Sequence, residues 1–277
     1  MEPGIVLLIA LSALLALLVL RVPIAVAIGV VSFAGIALIR NVDVAFAVLG
    51  NTPLEFAANW TLSAIPMFLF MGSIAHRSGL TRTLFDAGRI WLGQLPGGLA
   101  LATVAATAIF SAASGSSVAT TAAMGRIAVP EMLRFRYDPG LASASVAAAG
   151  TLGSTLPPSI AFILFGWYPQ TPVGSLLIAG IVPGILTALV FGVFIVGYCL
   201  VRKDAAPPPP KEEISTAQRW AALWGIWPIP LLIVSVIGVI YSGIATPTEA
   251  AALGALAAIF IALVRGGLTF AIFWDCV

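Results

Sequence analysis

From Gly4 to Leu20 the chain carries no charged residue, and the runs 22–39, 175–201 and 221–241 repeat that feature. A helix that is apolar on every face cannot be solvated by water. In a bilayer about 20 such residues make one crossing, because the helix satisfies its own backbone there. Across all 277 residues 60% are hydrophobic and 9% are charged, against roughly 25% charged in soluble domains. A soluble enzyme, a nucleic-acid binder and a disordered chain are thereby excluded. The expected fold is an all-α polytopic membrane protein with the lipid bilayer as its solvent. The formal net charge of +2 says nothing about partners.

The expected spans are 4–20, 22–39, 54–75 (interrupted at Ile65-Pro66), 175–201, 221–241 and 246–264. The first lacks a basic n-region and a cleavage site, so it reads as a membrane helix and not as a signal peptide. Residues 81–95 carry Arg82, Asp86 and Arg89 on an apolar background, which suits an interfacial amphipathic helix. Residues 97–124 are apolar but rich in Gly, Ser and Thr, and 140–165 are broken at Gly150–Ser159. Four segments follow from this. Residues 1–96 hold N-terminal helices and the interfacial helix. Residues 97–201 form a transport element, comprising a hairpin over 97–124, a broken helix over 140–165 and the next span. Residues 202–219, with Pro207 to Pro210, read as a polar, stiff linker, and 220–277 as further membrane helices.

Of the 13 basic residues, all but Arg40 fall on one side when these spans are threaded. The positive-inside rule makes that side cytoplasmic and places Met1 outside. Both flanks of 97–124 are basic, with Arg77, Arg82 and Arg89 before it and Arg126, Arg134 and Arg136 after it. A simple span there would strand one group outside. Charge therefore asks for a re-entrant hairpin, with the flanking arginines as cytoplasmic anchors.

The hairpin tip, Phe110 to Thr121, holds four serines, two threonines and Gly115. Irregular backbone survives at membrane depth only when it is buried in protein or lines a wet cavity. Downstream, Pro157 and Pro158 supply no N–H and strip upstream carbonyls of helical donors, while Gly150 and Gly153 are expected to let the chain turn. Carbonyls and hydroxyls are what a small hard cation needs. A broken helix facing a polar hairpin is the layout of secondary-transporter sites, and half-helix N-termini favour an anion. A serine cluster can instead be a packing surface. Cys199, Cys276 and His76 are too scattered for a metal centre. No Gly-x-Ser-x-Gly stretch points to an enzyme, and the near absence of Asp, Glu and Lys from the span interiors argues against a carboxylate proton relay. Thr246, Pro247 and Glu249 spell a helix-capping box. Trp60, Trp167, Tyr168 and Tyr241 suit an outer aromatic belt, and Trp220, Trp224 and Trp227 an inner one.

Four ordered stretches carry a resemblance. They are Ala64-Ile65-Pro66-Met67-Phe68, Ser111 to Thr120, Gly150-Thr151-Leu152-Gly153 through Pro157-Pro158-Ser159-Ile160, and Gly243 to Ala251. With them the chain resembles the large membrane subunit of tripartite ATP-independent periplasmic (TRAP) transporters, the DctM family. The resemblance implies an elevator-type secondary transporter, one half of an inverted-repeat fold, importing carboxylates or sialic acids with sodium as coupling ion and no other cofactor. It implies a small DctQ-like four-helix subunit and a periplasmic solute-binding protein as partners, and the bacterial inner membrane as location. Sodium would be held by Ser114 and Ser116 with the carbonyls of Gly153, Leu156 and Pro158. Ser117, Thr120 and Thr155 would face the substrate. The family carries a second inverted half, and Val277 falls near its start, so a fragment or truncated frame is expected. A non-transporting remnant, and a sodium–dicarboxylate carrier without a binding protein, are the competing expectations.

Overall fold

The computed structural model describes residues 3–167, 169–207 and 215–276. Tyr168 of the expected outer belt, Pro208 to Pro210 and Lys211 lie outside these. The described residues form helices and no strand, in two compact units divided after Asn59.

The first unit contains α1 (Pro3–Val19), α2 (Ile24–Ile39) and α3 (Val42–Ala57). Arg21 turns the chain between α1 and α2 with φ +62°. Asn41 caps α3 by accepting the Val44 N–H at 2.7 Å. Ala27 and Ala45 are buried, and Phe33 meets Phe46 edge-on at 5.0 Å between α2 and α3. Leu7, Leu8, Ile24 and Leu54 are exposed, as lipid-facing side chains are. Helix α3 goes beyond the expected elements, because Asn41, Asp43, Asn51 and Glu55 dilute its apolar signal. The break expected at Ile65-Pro66 falls instead at Ala58-Asn59.

In the second unit, one 3-10 turn (Trp60–Ser63) leads into α4 (Ala64–Arg77). Pro66 sits in the first turn of α4, where a missing N–H breaks no helical bond. Helix α5 (Leu80–Leu92) is amphipathic, burying Leu80, Leu84 and Phe85 while Arg82 and Asp86 stay exposed. Helices α6 (Gly98–Ser114) and α7 (Ser117–Arg134) form a helical hairpin. Helix α7 continues past the expected end at residue 124, and through Pro130. Pro130 forfeits only its bond to the Arg126 carbonyl, while Ala128 and Met132 are buried around it. Helices α8 (Pro139–Gly150), α9 (Leu152–Thr155) and α10 (Ile160–Trp167) follow, bent by 41° across the break before α10.

Helices α11 (Val173–Ala179) and α12 (Ile181–Val201) together are long and apolar enough to cross a bilayer. So is the stretch made of α13 (Thr216–Gly225), α14 (Pro228–Ile233), a π-helical turn (Val234–Gly238) and α15 (Val239–Tyr241). Helix α16 (Pro247–Val264) also qualifies, and α17 (Phe270–Trp274) ends the described chain. At the start of α16, Thr246 Oγ1 accepts the Glu249 N–H while Glu249 Oε2 accepts the Thr246 N–H at 2.8 Å.

The unit is organised around α6, which packs against α4, α5, α7, α8, α9 and α12. Its faces are mostly Ala and Thr, so neighbouring backbones come close. The feet of the hairpin are tied together. Tyr137 accepts the Leu99 N–H at 3.2 Å, and the Asp138 N–H donates to Ala205 at 2.9 Å. Burial pushes the Tyr137 phenol above its ordinary pKa. Ala205 and Ala206 are buried, so the first residues of the expected linker pack against the hairpin foot, and α13 already begins at Thr216.

Candidate functional site at the hairpin tip

At the tip, α6 ends on Gly115 with φ +64°, and Ser116 caps α7 by accepting the Ala119 N–H at 3.3 Å. A side chain at Gly115 is excluded twice. The left-handed backbone disfavours one, and its Cβ would lie 2.7 Å from the Pro158 carbonyl oxygen. From the other side, a Cβ on Gly153 would lie 2.8 Å from the Ser117 nitrogen and 2.9 Å from the Ser116 carbonyl. The tip therefore sits directly on the break. Gly150 and Gly153 do not act as turns, which corrects the expectation for them. Both have negative φ, and they are small so that α7 and the tip can approach.

Backbone carbonyls around the break lose their helical donors for separate reasons. The Gly153 carbonyl faces position 157, and Ser154 faces position 158, where proline has no N–H. Ser154 is compensated by the Ser159 hydroxyl, which donates to it at 2.6 Å. The partner expected for Leu156 is the Ile160 N–H, which instead donates to the Gly115 carbonyl at the hairpin tip at 3.0 Å. The partner expected for Pro158 is the Phe162 N–H, which turns to the Ser159 hydroxyl at 3.4 Å. A buried carbonyl deprived of its donor needs another partner, and a cation is one.

The predicted site residues fall into three groups. The tip and the break bring Ser116 and Ser117 against Gly153, and Gly115 against Pro158. Ser114 is buried, and its hydroxyl is bonded to that of Thr120, itself fully buried. Ser117 is half-buried, its carbonyl accepting the Thr121 hydroxyl at 2.7 Å. Thr155 stands apart, its carbonyl close against Gly180. Ser111, one turn before Ser114, has a buried hydroxyl without a hydrogen-bond partner among the described residues. Its only signal in the sequence was membership of the serine cluster. Among the described residues no group of His, Cys, Asp and Glu could hold a metal ion, so any cation here would be held by neutral oxygens.

A cavity of about 810 Å³ opens on the α4 side of the hairpin. Of the predicted site residues it reaches only Ser114. Sequence reasoning did not place His76 or Arg126 there, because each reads as a charge at a helix end.

Residues 11–273 match the family described as "Tripartite ATP-independent periplasmic transporter, DctM component". The chain belongs to that family. It is 42% identical over 213 residues to the C4-dicarboxylate TRAP transporter large permease protein of Pseudomonas aeruginosa, covering 76% of this chain and 48% of that one. It is 36% identical to the isethionate TRAP transporter permease protein of Oleidesulfovibrio alaskensis, covering 94% of this chain and 40% of that one. The sialic acid TRAP transporter large permease protein of Vibrio cholerae is 31% identical, over 80% of this chain and 53% of its own length. The chain thus spans about half the length of these relatives. They are permeases and not enzymes, and the chain is a multi-pass membrane protein like them.

Proposed function

We propose that the chain acts as the large membrane subunit of a sodium-coupled TRAP transporter that imports a small organic anion across the bacterial inner membrane. The observation that carries this is the junction of tip and break. The Gly153, Leu156 and Pro158 carbonyls, each deprived of a helical donor, are the proposed oxygen ligands for sodium together with Ser114 and Ser116. Bound sodium would lock the tip onto the break and order the anion site, for which Ser117, Thr120 and Thr155 remain the proposed contacts. Residues 97–201 would then move as the transport element. The relatives named for C4-dicarboxylates, isethionate and sialic acid all take organic anions, which supports that substrate class here. A small membrane subunit and a periplasmic solute-binding protein complete the proposed assembly. Basic residues at both feet of α6–α7 support re-entry from the cytoplasm and a periplasmic N-terminus.

The test is uptake of labelled succinate into vesicles carrying the protein and its two partners, driven by a sodium gradient. Ser114→Val removes the hydroxyl and adds bulk at a buried position. It should abolish sodium-dependent uptake at an unchanged membrane level. Full uptake by that variant would overturn the sodium assignment, and uptake without the binding protein would overturn the TRAP mode of delivery.

A further inference from the structure

The cavity beside the hairpin has a direction. On α7 it is lined by Ala119, Ala122, Ala123 and Arg126, which share one helical face. Across from them, α4 contributes Gly72, Ser73, His76 and Arg77, and further along the same helix the apolar Pro66, Met67, Leu69 and Phe70. The space therefore takes in Ser114 at the tip and the basic side chains His76, Arg77 and Arg126. No acidic side chain lines it among the described residues. Arg77 is matched by Asp275 at 2.8 Å, and the His76 ring is hydrogen-bonded to Thr81 at 3.1 Å. Arg126 has neither a hydrogen bond nor an ion pair among the described residues. It is left as an uncompensated guanidinium in a cavity walled by alanines on α7 and by apolar side chains such as Met67, Phe70 and Phe110 elsewhere, and it attracts anions into that space.

We propose that this cavity is the route by which the transported anion leaves toward the cytoplasm, running from Ser114 to Arg126, with the Arg126 guanidinium as the charged station for a carboxylate or sulfonate. The proposal rests on the transporter reading above and adds the path and the residue that recognises the anion's charge. Arginine suits the task because it stays charged and can hold an oxyanion through two N–H groups. The α7 alanines and the apolar wall opposite give a polar substrate no competing ligand.

Cys276 lines the same cavity, whereas Cys199 is buried, so one thiol reports on the passage. The experiment measures modification of Cys276 by an anionic and by a cationic methanethiosulfonate in native membrane vesicles at low salt, with Cys276→Ser as blank. A unit charge about 10 Å away in water changes the anionic-to-cationic rate ratio about four-fold. Arg126→Gln should lower that ratio by this factor or more, and Arg126→Lys should restore it. Succinate should slow modification in the wild type and not in Arg126→Gln, while neutral succinamide slows neither. A ratio unmoved by Arg126→Gln, or equal protection by succinamide, overturns the proposal. Labelling needs neither sodium nor a binding protein. Loss of sodium-driven uptake with the labelling pattern intact would count against the transporter reading alone.

Discussion

Gly153→Ala isolates the contact between tip and break. The new methyl would lie 2.8 Å from the Ser117 nitrogen and 2.9 Å from the Ser116 carbonyl, both backbone atoms with no rotamer to yield. Relief to 3.4 Å requires the tip to withdraw by about 0.6 Å. The Ile160–Gly115 hydrogen bond, now 3.0 Å, would stretch to about 3.6 Å and cease to be one. Overpacking costs about 1–3 kcal/mol, and the lost bond adds roughly 0.5–1.5 kcal/mol. Alanine returns about 1 kcal/mol because Gly153 is helical. The net is about 2 kcal/mol against the docked tip, or about a thirty-fold rise in the sodium concentration for half-maximal uptake. Gly125→Ala on α7 is the control, since its methyl would meet only Val146, at 3.7 Å. The assay is sodium-titrated succinate uptake at matched membrane levels. A half-saturating sodium concentration in Gly153→Ala equal to that of Gly125→Ala would refute the reasoning.

Two further substitutions probe the support around the hairpin. Tyr137→Phe leaves the buried Leu99 N–H without its acceptor and should cost about 1–3 kcal/mol, read as a lower melting temperature in detergent; an unchanged melt would mean the hairpin foot is held otherwise. Although Asp86 lies on the exposed face of α5, the protein around it partly desolvates its carboxyl and raises the pKa, Glu131 adds to the rise, and Arg82 and Arg89 oppose it. A raised folded pKa means the folded protein holds this proton more tightly, and that advantage is lost as pH rises through the folded value. Asp86→Asn should therefore melt slightly higher than wild type at pH 7, with the gap closing toward acid pH as the native carboxyl protonates. A gap that widens on acidification would contradict the sign.

What was legible in the sequence follows from the range of each interaction. Lipid solvation acts residue by residue, so the long apolar runs announced the apolar helices, whereas α3, diluted by Asn41, Asp43 and Glu55, did not announce itself. The capping box at Thr246 and Glu249 is a three-residue relation and was readable as it stands. The two prolines marked the break, and through positions 157 and 158 they already implied the loss of donors to Gly153 and Ser154. The rest of the site is non-local. Leu156 loses its donor because the Ile160 N–H is drawn to Gly115, 45 residues earlier, and no local pattern encodes that choice. The same separation explains the glycines. Read alone, Gly150 and Gly153 suggest flexibility, but with α7 against them they are spacers. Arg126 follows the same logic. One-dimensional charge counting makes it an anchor, and only the opposing face of α4 turns it into the end of a passage. The hairpin and the break were thus visible as separate signals, while their docking belongs to the tertiary structure.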